Sequence, residues 1–338
     1  MATEPLLAMA AEPGLDGRLR KLIRMGLAQR AAELARRGGA GEADFVRSMD
    51  AFPLDGGSAH ANRQHYEAPP DFFQTVLGSH LKYSCCQWET GVEDLGVAEQ
   101  AMLDLVISRA GLSDGQRILD LGCGWGALSL ELARRFPNAE VVALSGARPQ
   151  REFIEAQAEA LGYGNLKVVT SDVAWWEGAG TFDRIVSVEM FEHVRNWKGL
   201  MARVRDWIRP GGLLFVHIFC HAEASYFFDD DVTAEHFFTG GMMPAYDLLP
   251  KFRGELIERG RWQISGAHYE KTAAAWLRNL DARTTAAGEA LALGADPRPV
   301  ADQLAAWRLF FMITAESFGF DEGRQWMIGH YLFEMPRP

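Results

Sequence analysis

The chain has 338 residues, 48% of them hydrophobic, and a formal net charge of −11. That is enough for a sizeable core and more than one average domain unit, while the acidic balance disfavours a nucleic-acid partner, which would need a basic face. The four cysteines, Cys85, Cys86, Cys123 and Cys220, show neither metal-ligand spacing nor a disulfide framework, so no metal is expected and reduced thiols in a cytoplasmic protein are the simplest account.

The N-terminus, Met1 to Gly14, carries Glu4 and Glu12 before any basic residue and lacks the n-region of a signal peptide. Residues 15–37 place Leu15, Leu19, Leu22, Ile23, Leu27 and Leu34 at helical spacing, and Gly38-Gly39 is expected to end that helix. Residues 41–110 read as helical and irregular, with aromatic clusters at Phe72-Phe73 and Tyr83–Trp88. From 115 onward the pattern alternates, with strands expected at 116–121, 140–145, 166–170, 183–188 and 212–219 and helices between them. The last of those helices should stop before Arg209-Pro210-Gly211-Gly212, read as a turn. Leu256–Gly266 and Gln325–Phe333 read as two late edge strands, with helices at about 270–290 and 300–318 between them. The longest apolar run, Leu213 to Val216 and on to Cys220, is too short to span a bilayer, so no integral membrane contact is expected. The pattern implies the α/β class: a Rossmann-like, doubly wound, mainly parallel sheet. It divides into an N-terminal helical cap (1–110) and a core (111–338), whose helical insertion at about 221–320 roofs the pocket.

The most informative stretch is Arg117-Ile-Leu-Asp-Leu-Gly-Cys-Gly-Trp-Gly126. An apolar strand ends in Gly122-x-Gly124-x-Gly126 and an amphipathic helix follows at once. Such a turn lets a ligand lie against bare backbone at the carboxyl end of a parallel strand, over a helix N-terminus. A nicotinamide dinucleotide would also require an acid at the tip of the next strand. That strand, Val141 to Leu144, ends instead in Ser145-Gly146.

Seven segments in order resemble one branch of the S-adenosylmethionine-dependent methyltransferases, the branch that contains cyclopropane fatty acid synthases and plant coclaurine N-methyltransferases. They are His65-Tyr66-Glu67, Leu81–Cys86, Leu119–Gly126, Gln150–Ile154, Val188–His193, Leu214–His217 and Ala315–Gly319. Cyclopropane synthases usually carry glycine where Glu189 stands and use a tyrosine near position 310 to hold a bicarbonate base, where this chain has Leu309-Phe310-Phe311. Coclaurine-like enzymes carry Glu-Met-Phe-Glu-His, Ala-Glu-x-Phe-Gly and a late Trp-Met, matched here by Glu189–His193, Glu316 and Trp326-Met327. The resemblance therefore implies an S-adenosylmethionine-dependent N-methyltransferase acting on a hydrophobic small-molecule amine, of the benzylisoquinoline or phenylethylamine type. The alternative is methyl or methylene transfer to an unsaturated phospholipid acyl chain. A homodimer is compatible with the sequence, which leaves the oligomeric state open.

The resemblance also implies roles for individual residues. Gly122 and Gly124 would let the methionine part of the cofactor approach the backbone, with Ser84 touching the same end and Gln150 lying near the ribose. Asp172 and the backbone of Val173 follow the third strand, where this fold commonly places its adenine contacts; Asp172 also suits a turn or helix N-cap. The family asparagine after the second strand is replaced by Gly146, so the ribose contacts must differ in detail. Glu189, Glu192 and His193 follow the fourth strand, at the crevice end of the sheet. An aliphatic amine is protonated at neutral pH, by analogy with lysine at about 10.4, and methylation needs its lone pair free. His193 is the first choice of general base, with Glu192 orienting it or binding the ammonium and Glu189 assisting. By spacing alone, Glu192-His193 would equally suit the cap of a helix starting near Asn196. Tyr66, Glu67 and Trp326 resemble substrate-pocket residues, and Phe227, Phe237 and Phe238 are candidates for its apolar walls. His217, alone on the fifth strand, reads as a core histidine and stays outside the catalytic set.

Overall fold

The computed structural model describes residues 3–54, 68–228 and 240–338. Strands β1 (Arg117–Leu121), β2 (Glu140–Ser145), β3 (Leu166–Thr170), β4 (Phe182–Val188) and β5 (Ile208–His221) pair in parallel in the order β3-β2-β1-β4-β5. A two-stranded ribbon follows, β6 (Tyr226–Phe227) with β7 (Met242–Met243). The sheet is completed by β8 (Ile257–Ile264) and β9 (Trp326–Glu334). The expected doubly wound, mainly parallel sheet is present. One late strand departs from expectation: β9 lies inside the sheet, antiparallel to both β5 and β8, and of the two late strands only β8 is an edge.

Arg209–Gly212 is not a free turn. Residues Ile208–His221 form one long strand, and a register shift opposite Phe182–Arg184 absorbs the Pro-Gly-Gly sequence as an irregularity. Gly211 takes φ +76°, and the C-terminal segment supplies its hydrogen bonds, Gly211 N–H to Met335 O and Met335 N–H to Gly212 O. The partner segment lies over 120 residues downstream, so local turn chemistry gave no sign of it.

The helices in chain order are α1 (Thr3–Ala10), α2 (Asp16–Met49), α3 (Pro70–Val76), α4 (Leu95–Ala110), α5 (Ala127–Arg135), α6 (Arg148–Leu161), α7 (Trp197–Trp207), α8 (Ala267–Ala282), α9 (Thr284–Leu291) and α10 (Val300–Gly319). Gly38 breaks the helical path, at φ 57° and ψ −164°, but the helix resumes and runs to Met49 instead of ending. Asp94 caps α4 by accepting from Val97 N–H, and Asn196 caps α7 by accepting from Gly199 N–H.

Two apolar layers sandwich the sheet. Ile118, Val186, Phe215 and Ile328 face one layer, while Leu119, Ile185, Leu214, Val216, Tyr331 and Phe333 face the other. The alternation along each strand produces this split. On the first face α10 packs on α8, and the N-terminal helices α1 and α2 pack on α10. α1 and α2 thus join α8 and α10 in one helical roof, which meets the sheet beside Phe219 of β5 and Trp326 of β9. Among the described residues no helix is long and apolar enough to cross a membrane.

Candidate active site

Beyond the carboxyl ends of β1, β2 and β4 lies a cleft of ≈ 650 Å³. Gly122, Gly124, Gln150, Asp172, Val173, Glu189 and His193 all line it. Gly124 has φ +53°, and a Cβ built there meets nothing within 4 Å, so it would project into open space. Gly122 is glycine for another reason: a Cβ there would strike Met190 Cγ at 2.5 Å. Gln150, in the first turn of α6, accepts from Ser145 Oγ through Oε1, while its buried Nε2 has no protein partner. Asp172 Oδ1 accepts from Ala174 N–H, so the turn role holds while the residue still faces the cleft.

Across the glycine turn lies a second cleft of ≈ 600 Å³, which shares Gly122, Gly124 and Glu189 with the first. Ser84 and Lys82 line this one. Lys82 is 3% exposed, and its ammonium donates to Ser84 Oγ and Cys85 O. The sequence reading quoted Lys82 inside a motif and gave it no role.

Glu189 sits where the clefts meet. Its φ of +47° is rare for a residue with a side chain. Its Oε1 accepts from Cys85 N–H at 2.9 Å and lies 3.1 Å from His217 Nε2, and its Oε2 accepts from Tyr269 O–H at 2.7 Å. Burial raises its proton affinity; Lys82 and the hydrogen bonds oppose that. Neither Glu189 nor its neighbours serve as a helix cap, because Asn196 caps α7 itself. Phe191–His193 is a separate 3₁₀ turn.

His193 is held neutral: burial pushes its pKa down to about 4, with Glu189 opposing. Glu192 is fully buried behind the turn; its Oε1 accepts from Phe219 N–H at 3.3 Å and its Oε2 has no partner. Burial, and then the charge of Glu189, push its pKa well up, so it is a neutral acid. It lines neither cleft, contrary to the expected ammonium-binding role, and a buried neutral acid has no charge to offer a cation.

A third hollow encloses ≈ 1480 Å³ including its open mouth, between the roof helices and β5. Phe219, Tyr226, Tyr269, Phe310, Phe318 and Trp326 line it, together with Ile23 and Leu27 of α2. Trp326 Nε1 donates to Tyr226 O–H, which fixes the indole in the wall. Phe227 is not part of this wall; it packs between Phe45 and Arg195. Tyr66, Glu67, Phe237 and Phe238 lie outside the described residues. Tyr269 joins the two regions, with its ring in the hollow and its hydroxyl on Glu189. Sequence reasoning missed Tyr269 and excluded His217; neither stands in a spacing that marks it, and only the fold brings them to Glu189.

The mycolic acid cyclopropane synthetase family model matches residues 57–318. The chain belongs to that family. Within the mycolic acid cyclopropane synthetase family it is similar to the (S)-coclaurine N-methyltransferase of Thalictrum flavum subsp. glaucum, 35% identical over 279 residues, covering 80% of this chain and 77% of that protein. The (S)-coclaurine N-methyltransferase of Papaver somniferum is 33% identical over 299 residues, covering 86% and 85%. A crystal structure of coclaurine N-methyltransferase bound to N-methylheliamine and SAH superposes with a TM-score of 0.91 at 31% identity, covering 98% of both chains. The resemblance carried by the seven segments is thereby borne out, and with it the fold class.

Proposed function

We propose that this chain is an S-adenosylmethionine-dependent N-methyltransferase acting on a hydrophobic, aromatic small-molecule amine of the benzylisoquinoline or phenylethylamine type. One observation carries the reading: Glu189 borders the glycine-floored clefts, while its hydrogen-bond partner Tyr269 lines the aromatic hollow. A reacting nitrogen in the hollow and a donor in the cleft would meet beside one carboxylate.

The residues present suit the donor. Gln150 offers an unpaired buried amide, Gly124 leaves open space, and Lys82 with Ser84 gives a cationic, polar end. Gln150, Asp172 and Val173 would hold the nucleoside, and Ser84 and Lys82 the amino-acid portion. Once bound, S-adenosylmethionine supplies a methyl group on a sulfonium, an electrophile whose leaving group needs no proton.

The protein's task is then to align the amine and free its lone pair. The aromatic walls accept a flat ring and tolerate positive charge over their faces. Glu189 attracts the cationic amine and offsets the charge that persists after methylation. His193, neutral at physiological pH, accepts a hydrogen bond from the nitrogen and does not repel the cation; with a pKa of about 4 it orients the nitrogen and passes any proton it receives on to solvent. Glu192 stays protonated behind the turn, which keeps a second negative charge out of the site.

Adenosylhomocysteine formation over a panel of isoquinolines, phenylethylamines, an indole-ethylamine and an unsaturated phospholipid tests this reading. Turnover with an amine is the expected result; turnover with the lipid alone would replace it by the acyl-chain alternative. In the same assay His193→Ala should lower turnover by about 100-fold or more and leave adenosylhomocysteine affinity intact. Equal loss of both would make His193 structural.

A further inference from the structure

Glu189 is the inner end of a hydrogen-bonded chain that crosses the sheet to an outer helix. Arg109, in the last turn of α4, reaches His330 Nδ1 at 2.8 Å. His330 Nε2 lies 2.9 Å from His217 Nδ1, and His217 Nε2 lies 3.1 Å from Glu189 Oε1. His217 and His330 form a cross-strand pair on β5 and β9, and each is 0% exposed. The guanidinium of Arg109 lies over the Trp262 ring at 4.8 Å.

The direction of every bond in this chain follows from its outer end. A guanidinium has donors and no acceptor. His330 Nδ1 must therefore accept, and a neutral His330 ring carries its hydrogen on Nε2. That hydrogen points at His217 Nδ1, which must accept in turn. His217 then carries its own hydrogen on Nε2 and donates it to Glu189. Burial disfavours charge on both rings, in agreement with neutral tautomers.

We infer that Arg109 and His330 are positioning residues that fix the tautomer of His217 and so hold Glu189 as a hydrogen-bonded carboxylate. This rests on the role proposed for Glu189 in amine methylation. The charged and titratable groups around Glu189 are Lys82, Cys85 and Cys86 from the segment before α4, Tyr269 from α8, Glu192 and His193 from the 3₁₀ turn, and His217 from β5. Of the three groups that hydrogen-bond its carboxyl group, Cys85 N–H, Tyr269 O–H and His217 Nε2, only the last changes between donor and lone pair with a ring tautomer. If both rings reverse, His217 Nε2 turns a lone pair toward Glu189, and the carboxyl must take up a proton to make the bond.

The test has two arms. Long-range proton–nitrogen NMR correlation on histidine-labelled protein reads the tautomers without any turnover. Both rings should be neutral with the hydrogen on Nε2 at pH 7. A hydrogen on Nδ1 of either ring, or a cationic ring, overturns the inference. In the kinetic arm, Arg109→Met keeps an apolar stem over Trp262 and His330→Leu fills the ring's place. Each should lower kcat by about 10- to 100-fold, the scale seen when hydrogen-bonded outer partners of a liganding histidine are removed. Each should also move the acid limb of kcat to higher pH, with KM for the methyl donor unchanged. His330→Gln can accept from Arg109 and donate to His217, so it should recover most of the turnover lost in His330→Leu. Wild-type kcat and pH profile in a folded His330→Leu variant would reduce the chain of bonds to a packing feature. Correct tautomers with no amine turned over would sink the proposed function and leave the relay standing. Amine turnover with reversed tautomers would do the opposite.

Discussion

At position 189 the backbone is left-handed, where a side chain costs roughly 1–2 kcal/mol relative to glycine. The chain nevertheless places a glutamate there, with Cys85 N–H, Tyr269 O–H and His217 Nε2 converging on its carboxyl group. Strain of this kind at a cleft points to function rather than stability. Glu189→Gly should therefore keep the fold, because backbone relief offsets the stranded donors, yet lose turnover. Glu189→Gln should cost about 100-fold or more in kcat with little change in melting temperature. Calorimetry and kinetics together check this; wild-type turnover in either variant would remove the carboxylate from the chemistry. His193 makes a second, separate prediction. Its folded pKa of about 4 lies below the unfolded 6.5, so its own contribution to stability is complete above pH 6.5 and is lost as pH falls toward 4. An NMR titration should find the ring neutral at pH 5.5; a midpoint near 6.5, with the ring largely protonated at pH 5.5, would mean a solvated imidazole. The Glu-x-x-Glu-His spacing advertised Glu189 and His193. It said nothing of Tyr269, Lys82 or His330, since those contacts span 80 residues or more, or arise from a buried ammonium no periodicity marks.

At the scale of elements, the strand–turn–helix at β1 and α5 was legible because its signal is local: an apolar run, glycines that the turn needs, and an amphipathic helix. The bends of β5 and the placement of β9 were not, because each depends on a pairing between distant segments. Local rules read Pro-Gly-Gly as punctuation, and a distant strand end overrode them by supplying the missing hydrogen bonds. The three glycines of the turn also separate under structure. A Cβ at Gly122 would strike Met190 and one at Gly126 would strike Ile154; of the three, only at Gly124 would it meet open space. Gly124→Val should therefore abolish adenosylhomocysteine binding measured by titration calorimetry, for two reasons. A β-branched residue at φ +53° is strained, and its methyls would fill the ligand's space. Undiminished affinity in that variant would show that the donor lies elsewhere.

Across the whole molecule, the cap is held on the core by charge as well as by apolar contact. Glu316 on α10 is 4% exposed and forms ion pairs with Arg20 and Arg24 of α2. Arg308, about two turns earlier on α10, ties Asp16 of α2 to Asp281 of α8. The Ala-Glu-x-Phe-Gly segment, recognisable in the sequence only as a motif, thus has a mechanical account: its glutamate anchors the helix that supplies Ile23 and Leu27 to the hollow. Replacing Glu316 by leucine removes both pairs. Arg24 is largely exposed, so the loss should be about 1–2 kcal/mol, below that of a fully buried pair, or roughly 1–3 °C in melting temperature. The functional effect should be selective. The KM for the amine should rise, because one wall of its proposed chamber is loosened, while the affinity for adenosylhomocysteine holds, because the cleft over β1 and β2 does not touch α2. An equal rise in both constants would mean that the cap couples to the donor site through the core, and that the hollow and the cleft do not act as separate compartments.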